Sequence, residues 1–300
     1  MTTATAATGK AAQRAALGLG WGNFLCGFVP GLLQYRLGQR SRAAMAFGSC
    51  TLLFFVGWVI VRDRLFGFAL VSPDDGGRAA GKFGWAWPLL ARIGLPMTWP
   101  EFLNLPANAL GSILAFDDSN SGQRLWRLPR PLEDLGGFLT AASGMLAAFW
   151  SADGHFGLRW QRDAGDQTPP PPCAPALACG VSWLLPGLGH AFAGQRGKGL
   201  LMGLAVAAVF AIGMVAGEGH AVDRAIAPVW WIGQSLFGGG ALFAALVTAP
   251  IEMGPSFPEN LELGTNLCTV AGLMNLVVMV DAFTVAERGS FPLRGPAVAK

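Results

Sequence analysis

Charge is scarce in this sequence. Asp, Glu, Lys and Arg make up 13% of 300 residues, against about 25% in soluble domains. A shortfall of that size means that much of the surface does not face water. Tyrosine is almost missing, with one residue against 11 Trp and 20 Phe, and that aromatic load excludes a disordered or collagen-like chain despite 42 Gly and 20 Pro. The net charge of +3 is too small to point to nucleic acid. Cysteines stand at 26, 50, 173, 179 and 268, no two of them spaced as C-x-x-C. Neither a zinc site nor a disulfide framework follows from them. Catalytic signatures are missing as well. There is no glycine-rich phosphate loop with its Lys-Ser/Thr, no H-E-x-x-H, no G-x-S-x-G and no paired-carboxylate pattern. The expectation is a protein that is not an enzyme and carries neither metal nor cofactor.

What is present is apolar sequence in long runs, with a mean hydropathy of +0.44. A helix needs roughly 20 apolar residues to cross about 30 Å of hydrocarbon. Candidate spans lie at 15–33, 43–61, 135–152, 174–185, 200–216, 229–247 and 263–285, with a proline-broken stretch at 83–116 that reads as one span plus an interfacial piece. Lys10 and Arg14 before the first run resemble a signal peptide, but the run is long and no small-residue cleavage site follows, so it reads as a retained span. The fold class expected is an all-α bundle of seven or eight membrane spans. The abundance of Trp suits a belt at the lipid headgroups.

The chain repeats itself. Pro30-Gly31-Leu32 and Gly38-Gln39-Arg40 recur as Pro186-Gly187-Leu188 and Gly194-Gln195-Arg196, at an offset of 186 − 30 = 156, and Arg42 matches Lys198 in charge. Leu135-Gly136 recurs as Leu263-Gly264 and Asp153 as Asp281, at an offset of 281 − 153 = 128. The first copy is therefore longer by 156 − 128 = 28 residues between these anchors. A weaker match sets Trp85 and Gly94 against Trp230 and Gly239. The division expected is a first unit at 1–156, a linker at 157–172 ending in Pro169-Pro170-Pro171-Pro172, and a second unit at 173–300.

Pro disfavours helix in the residue before it and Gly permits positive φ, so Pro30-Gly31 and Pro186-Gly187 stop one helix, and Gly38 and Gly194 reverse the chain. Arg36, Arg40 and Arg42, like Arg196 and Lys198, then sit where lipid headgroups lie. The positive-inside rule makes both loops cytoplasmic, and four crossings per unit follow if both turns share a side.

The Pro-Gly-Leu-Gly-His segment at Pro186–His190, with its downstream glycine and Lys198-Gly199, resembles bacterial membrane proteins with a PGLG-type two-helix turn, of which the TM-two domain proteins are best known. The chain looks more similar to an uncharacterised bacterial family that adds a Trp-led span and a final helix ending in Asp-Ala, here Asp281-Ala282. The resemblance covers most of 174–288 and, more weakly, 15–154. It departs at His190-Ala191-Phe192-Ala193, where the TM-two pattern carries His-Arg-Phe-Tyr, and the first copy has Gln34 in place of His190. It implies a membrane scaffold or accessory role and supplies no activity.

Few side chains remain that could carry chemistry. Asp153 and Asp281 are repeated acids in membrane segments, a functional hypothesis by default, although both fall at expected helix ends where water is near. Among His155, His190 and His220, only His190 offers itself as a cofactor ligand, against a simpler turn-capping role. Arg92 and Glu101 share the proline-broken region. Gly238-Gly239-Gly240 and the Gly203, Gly213 pair suit close helix approach. The function expected is a non-enzymatic accessory or scaffold subunit of a larger membrane complex of respiratory or photosynthetic type. Its partners would be lipids and other membrane subunits, and its place a multi-pass position in the bacterial inner membrane. The alternative is a small transporter or channel using Asp153 and Asp281.

Overall fold

A computed structural model describes residues 21–61, 100–116, 132–163, 174–222, 228–248 and 258–290. Among these residues there are helices and no strands. In chain order they are α1 (Trp21–Cys26), α2 (Leu32–Arg36), α3 (Arg40–Val61), a 3-10 turn (Glu101–Leu103), α4 (Leu105–Phe116), α5 (Glu133–Asp163), α6 (Pro175–Leu184), α7 (Leu188–Phe192), α8 (Arg196–Ala216), α9 (Pro228–Ser235), α10 (Gly239–Thr248) and α11 (Leu261–Ser290).

Four helices are long and apolar enough to cross a membrane: Arg40–Val61, Leu135–Trp160, Arg196–Ala216 and Leu261–Gly289. The chain is on this ground a helical membrane protein. The other expected spans differ. The run at 174–185 forms α6, whose 10 residues reach only about 15 Å. The run at 229–247 is interrupted between α9 and α10, where Gly238 takes φ 64°. A Cβ on Gly238 would overlap the Trp183 carbonyl oxygen of α6, so the break is also a point of contact. The first run is divided by the turn at Pro30-Gly31, and much of 83–116, with Arg92, Trp85 and Gly94, lies outside the described residues.

Glycine sets the helix crossings. A Cβ on Gly57 of α3 would stand 2.6 Å from Gly136 O of α5, and one on Gly213 of α8 would stand 2.9 Å from Gly264 O of α11. Such approach lets dispersion hold helices together where lipid is as apolar as the side chains. The largest core cluster joins the two halves of the chain. Phe138, Ala142 and Met145 of α5 pack with Trp183, Phe210, Phe237 and Cys268. Phe138 stacks on Trp183 with ring centroids 6.0 Å apart and planes 8° apart.

Backbone and side-chain polar groups away from water need internal partners. Asn104 Nδ2 donates to Ser143 Oγ at 2.7 Å, and Ser143 Oγ donates to Cys50 O at 2.8 Å. Asn275 Nδ2 donates to Leu236 O at 2.8 Å and to Ser182 O at 3.2 Å. Gln234 Nε2 donates to Ala221 O, in the turn after α8, at 2.8 Å and to Thr265 O of α11 at 3.3 Å. These bonds tie broken or terminal helix segments, where intrahelical partners run out, to the long helices.

Candidate functional site: two turn-and-acid clusters

Each Pro-Gly turn delivers one polar side chain to the interior. Gly31 has φ 84° and Gly187 φ 81°. A Cβ at either would overlap a backbone oxygen, that of Ala43 or of Gly199. The left-handed turn thus lets the start of α3 or α8 lie directly on the turn. The five-residue helices α2 and α7 follow, and Gly38 (φ 76°) and Gly194 (φ 86°) reverse the chain again. Closing bonds run from Gln39 N to Gln34 O at 2.9 Å and from Gln195 N to His190 O at 2.7 Å. Gln34 and His190 are thereby both buried.

In the first half Gln34 Nε2 donates to Asp153 Oδ2 at 3.1 Å and to Trp150 O at 2.7 Å. Arg42, in the first turn of α3, holds Asp153 Oδ1 at 2.8 Å and also Gln39 Oε1 at 3.2 Å. Asp153 is 5% exposed, and each of its oxygens has a donor. In the second half His190 Nε2 lies 2.6 Å from Asp281 Oδ2, and Lys198 Nζ contacts that same oxygen. Asp281 is 35% exposed. A carboxylate facing Nε2 fixes the proton on that nitrogen, because a lone pair there would oppose the acid. Nδ1 of His190 is buried and has no hydrogen-bond partner.

A cation in the first turn of a helix opposes the macrodipole by roughly 0.3–1 kcal/mol. Arg42 and Lys198 both occupy such positions. The facing carboxylates neutralise them and place negative charge at the helix start, where it is favourable. The cluster is therefore self-consistent as a clasp between the turn, the start of one long helix and the end of another.

The sequence had set Asp153 and Asp281 at helix ends. Instead α5 runs on to Asp163 and α11 to Ser290, and Asp153 is enclosed. Beyond the acids, Arg159 of α5 pairs with Glu287 of α11. Of the residues expected at headgroups, Arg40 and Arg196 are exposed at helix starts, Arg36 Nη1 donates to Asn23 Oδ1 at 2.9 Å, and Arg42 and Lys198 turn to the acids. Glu101 is buried and accepts from Thr140 Oγ1 at 2.8 Å; its expected neighbour Arg92 is not among the described residues. Cys26, Cys50, Cys179 and Cys268 are free thiols. Among the described residues no group of three or more His, Cys, Asp or Glu is placed to hold a metal ion.

Sequence reasoning missed that Gln34, Arg42 and Asp153 form one cluster, and His190, Lys198 and Asp281 another. The signal was there: the three positions recur at fixed offsets with charge sign kept at two of them.

Residues 177–291 match the model of a family of unknown function, DUF6677. That stretch opens within α6 and runs to the close of α11, so it contains His190, Lys198 and Asp281. No curated protein and no solved structure matches the chain.

Proposed function

We propose that the chain is a tandem duplication that serves as a non-enzymatic accessory or scaffold subunit, packing within a larger complex of the bacterial inner membrane. In support of the duplication, corresponding residues make corresponding contacts: Gly57 on Gly136 and Gly213 on Gly264, Gly31 on Ala43 and Gly187 on Gly199, and Arg42 on Asp153 and Lys198 on Asp281. The family match over 177–291 fits a unit of this size.

One observation carries the scaffold reading. On α5, Phe138, Ala142, Met145 and Phe149 form a stripe that packs against the second half, with Phe149 under Gly180. The positions 128 residues later on α11 are Asn266, Val270, Leu273 and Val277, and all four are exposed. Their spacing of four, three and four residues is that of a helix-packing seam. A stripe that serves as an interface in one half and stands open in the other suits a partner subunit. Both acids are engaged in clasps, which suits a rigid packing element. On this reading the positive-inside rule would put both basic loops on the cytoplasmic face. The short helix α6 and the broken pair α9 and α10 would each add a partial span to the four long helices, and the runs at 15–33 and 83–116 would bring the count to the seven or eight expected.

Mild extraction of the protein from its own membrane, after cross-linking from a photoreactive residue at Leu273 and at Leu201 as a lipid-facing comparison, tests this. Adducts to other polypeptides at Leu273 support the scaffold; lipid adducts alone at both positions overturn it.

A second reading, a small transporter or channel, draws on Asp281, which remains 35% exposed beside a buried histidine. Flux through liposomes that survives Asp153→Asn with Asp281→Asn removes it.

A further inference from the structure

On α11, Leu263, Asn266, Val270, Leu273, Val277 and Val280 are all exposed and follow one another in alternating steps of three and four residues. That is the seam spacing of paired helices, here with a single amide among apolar side chains. The series covers 280 − 263 = 17 residues, about 26 Å of helix, which is most of the hydrocarbon thickness. The rest of α11 is covered, by α8 through Gly213 and Gly264, by α9 through Gly233 and Gly272, and by α6 through Ser182 and Asn275. The open strip is therefore narrow. It also differs from the other outward faces. From Ala43 to Val61 on α3 and from Gly199 to Ala216 on α8, every exposed residue is apolar or glycine, as contact with lipid favours. The α11 strip carries Asn266.

The corresponding series on α5, with Phe138, Ala142, Met145 and Phe149, is already a protein interface. The two series also meet. Continued at the same spacing they reach Arg159 and Glu287, again 287 − 159 = 128 apart, and these two residues are paired. The open strip is thus continuous, at its C-terminal end, with a contact between the two halves.

We propose that the strip is closed by α11 of a second copy of this chain, the two helices lying parallel about a two-fold axis with Asn266 facing Asn266. Copies inserted in the same sense place one α11 parallel to the other, and a two-fold contact needs a surface complementary to itself. This surface meets that need. Leucine and valine at successive seam positions can interdigitate with their own copies. Asparagine both donates and accepts through its amide, so each member of a pair satisfies the other. In lipid such a bond favours association, where an apolar face alone gains little over hydrocarbon. A single amide in the seam also fixes register and helix number. The dimer rests on the scaffold reading, since it fills the same open face.

Two full-length copies with different tags, co-expressed in their own membrane, test this. One copy carries a photoreactive residue at Leu273 or, for comparison, at Leu201. Adducts bearing both tags are expected from Leu273 and not from Leu201. Asn266→Leu removes the amide at an exposed position and should weaken the pair in lipid by roughly 3–30-fold, read from its dissociation on dilution with excess lipid. Asn266→Gln keeps an amide and should retain the pair. Adducts at Leu273 to a different polypeptide alone overturn the second copy and leave the face an interface, so the scaffold reading stands. Lipid adducts alone at both positions overturn both. Doubly tagged adducts equally frequent at Leu201, or an affinity unchanged by Asn266→Leu, also overturn the proposal.

Discussion

Arg42 Nη2 stands 2.8 Å from Asp153 Oδ1, although 111 residues separate them in the chain. The contact draws the start of α3 onto α5 near the Pro-Gly turn. Lys198 and Asp281 do the same for α8 and α11 across 83 residues.

The two acids should not be equal in weight. Asp153→Asn leaves Arg42 and Gln34 facing an enclosed neutral amide, and is expected to cost roughly 1–3 kcal/mol, the range for a buried group left unmatched. Asp281 is 35% exposed and its lysine 43% exposed, so Asp281→Asn is expected to cost about 1 kcal/mol or less. Thermal denaturation of both variants in one lipid mixture measures the order; equal losses would contradict it.

The turn glycines should be intolerant. Gly31→Ala and Gly187→Ala combine a left-handed backbone, roughly 1–2 kcal/mol for an L side chain, with overlap against Ala43 O and Gly199 O. Both are expected to lose stability or folded yield. Gly197→Ala is the control: it lies in α8 and its Cβ would meet nothing within 4 Å. It should be neutral or slightly stabilising, as Ala is the better helix former.

Asn275→Leu should loosen two short helices together. The Asn275 amide donates to Ser182 O of α6 and to Leu236 O just past α9, so both carbonyls lose their donor in a buried site. A loss of roughly 1–3 kcal/mol is expected. Hydrogen exchange should rise at the ends of α6 and α9 and not in α3; a uniform change over the molecule would count against this role.

Much of the fold is legible in the amino-acid sequence. Long apolar runs locate the four long helices, because a membrane span must be about 20 apolar residues whatever it packs against. The Pro-Gly and glycine positions mark the turns, because few residues tolerate those backbone angles. The short helices are misjudged. The bounds of α6 are legible to within a residue, but its 10 residues are too few for the crossing expected of them, and hydropathy cannot see that Gly238 turns left-handed against Trp183, which depends on neighbours far along the chain. The site is half legible. Its residues stand out as repeated positions, but Asp153 reads as a watery helix end because nothing local says that α5 continues to Asp163.

The central claim is that the paired residues are clasps on which each half closes. A double-mutant cycle on Arg42 and Asp153, using Arg42→Gln, Asp153→Asn and the pair, measures it most directly through unfolding free energies in a single lipid mixture. Contacting partners should show a coupling of about 1–3 kcal/mol, the pair costing less than its two parts together. Additive losses, within about 0.5 kcal/mol, would contradict the claim and leave the two residues as neighbours without a joint role.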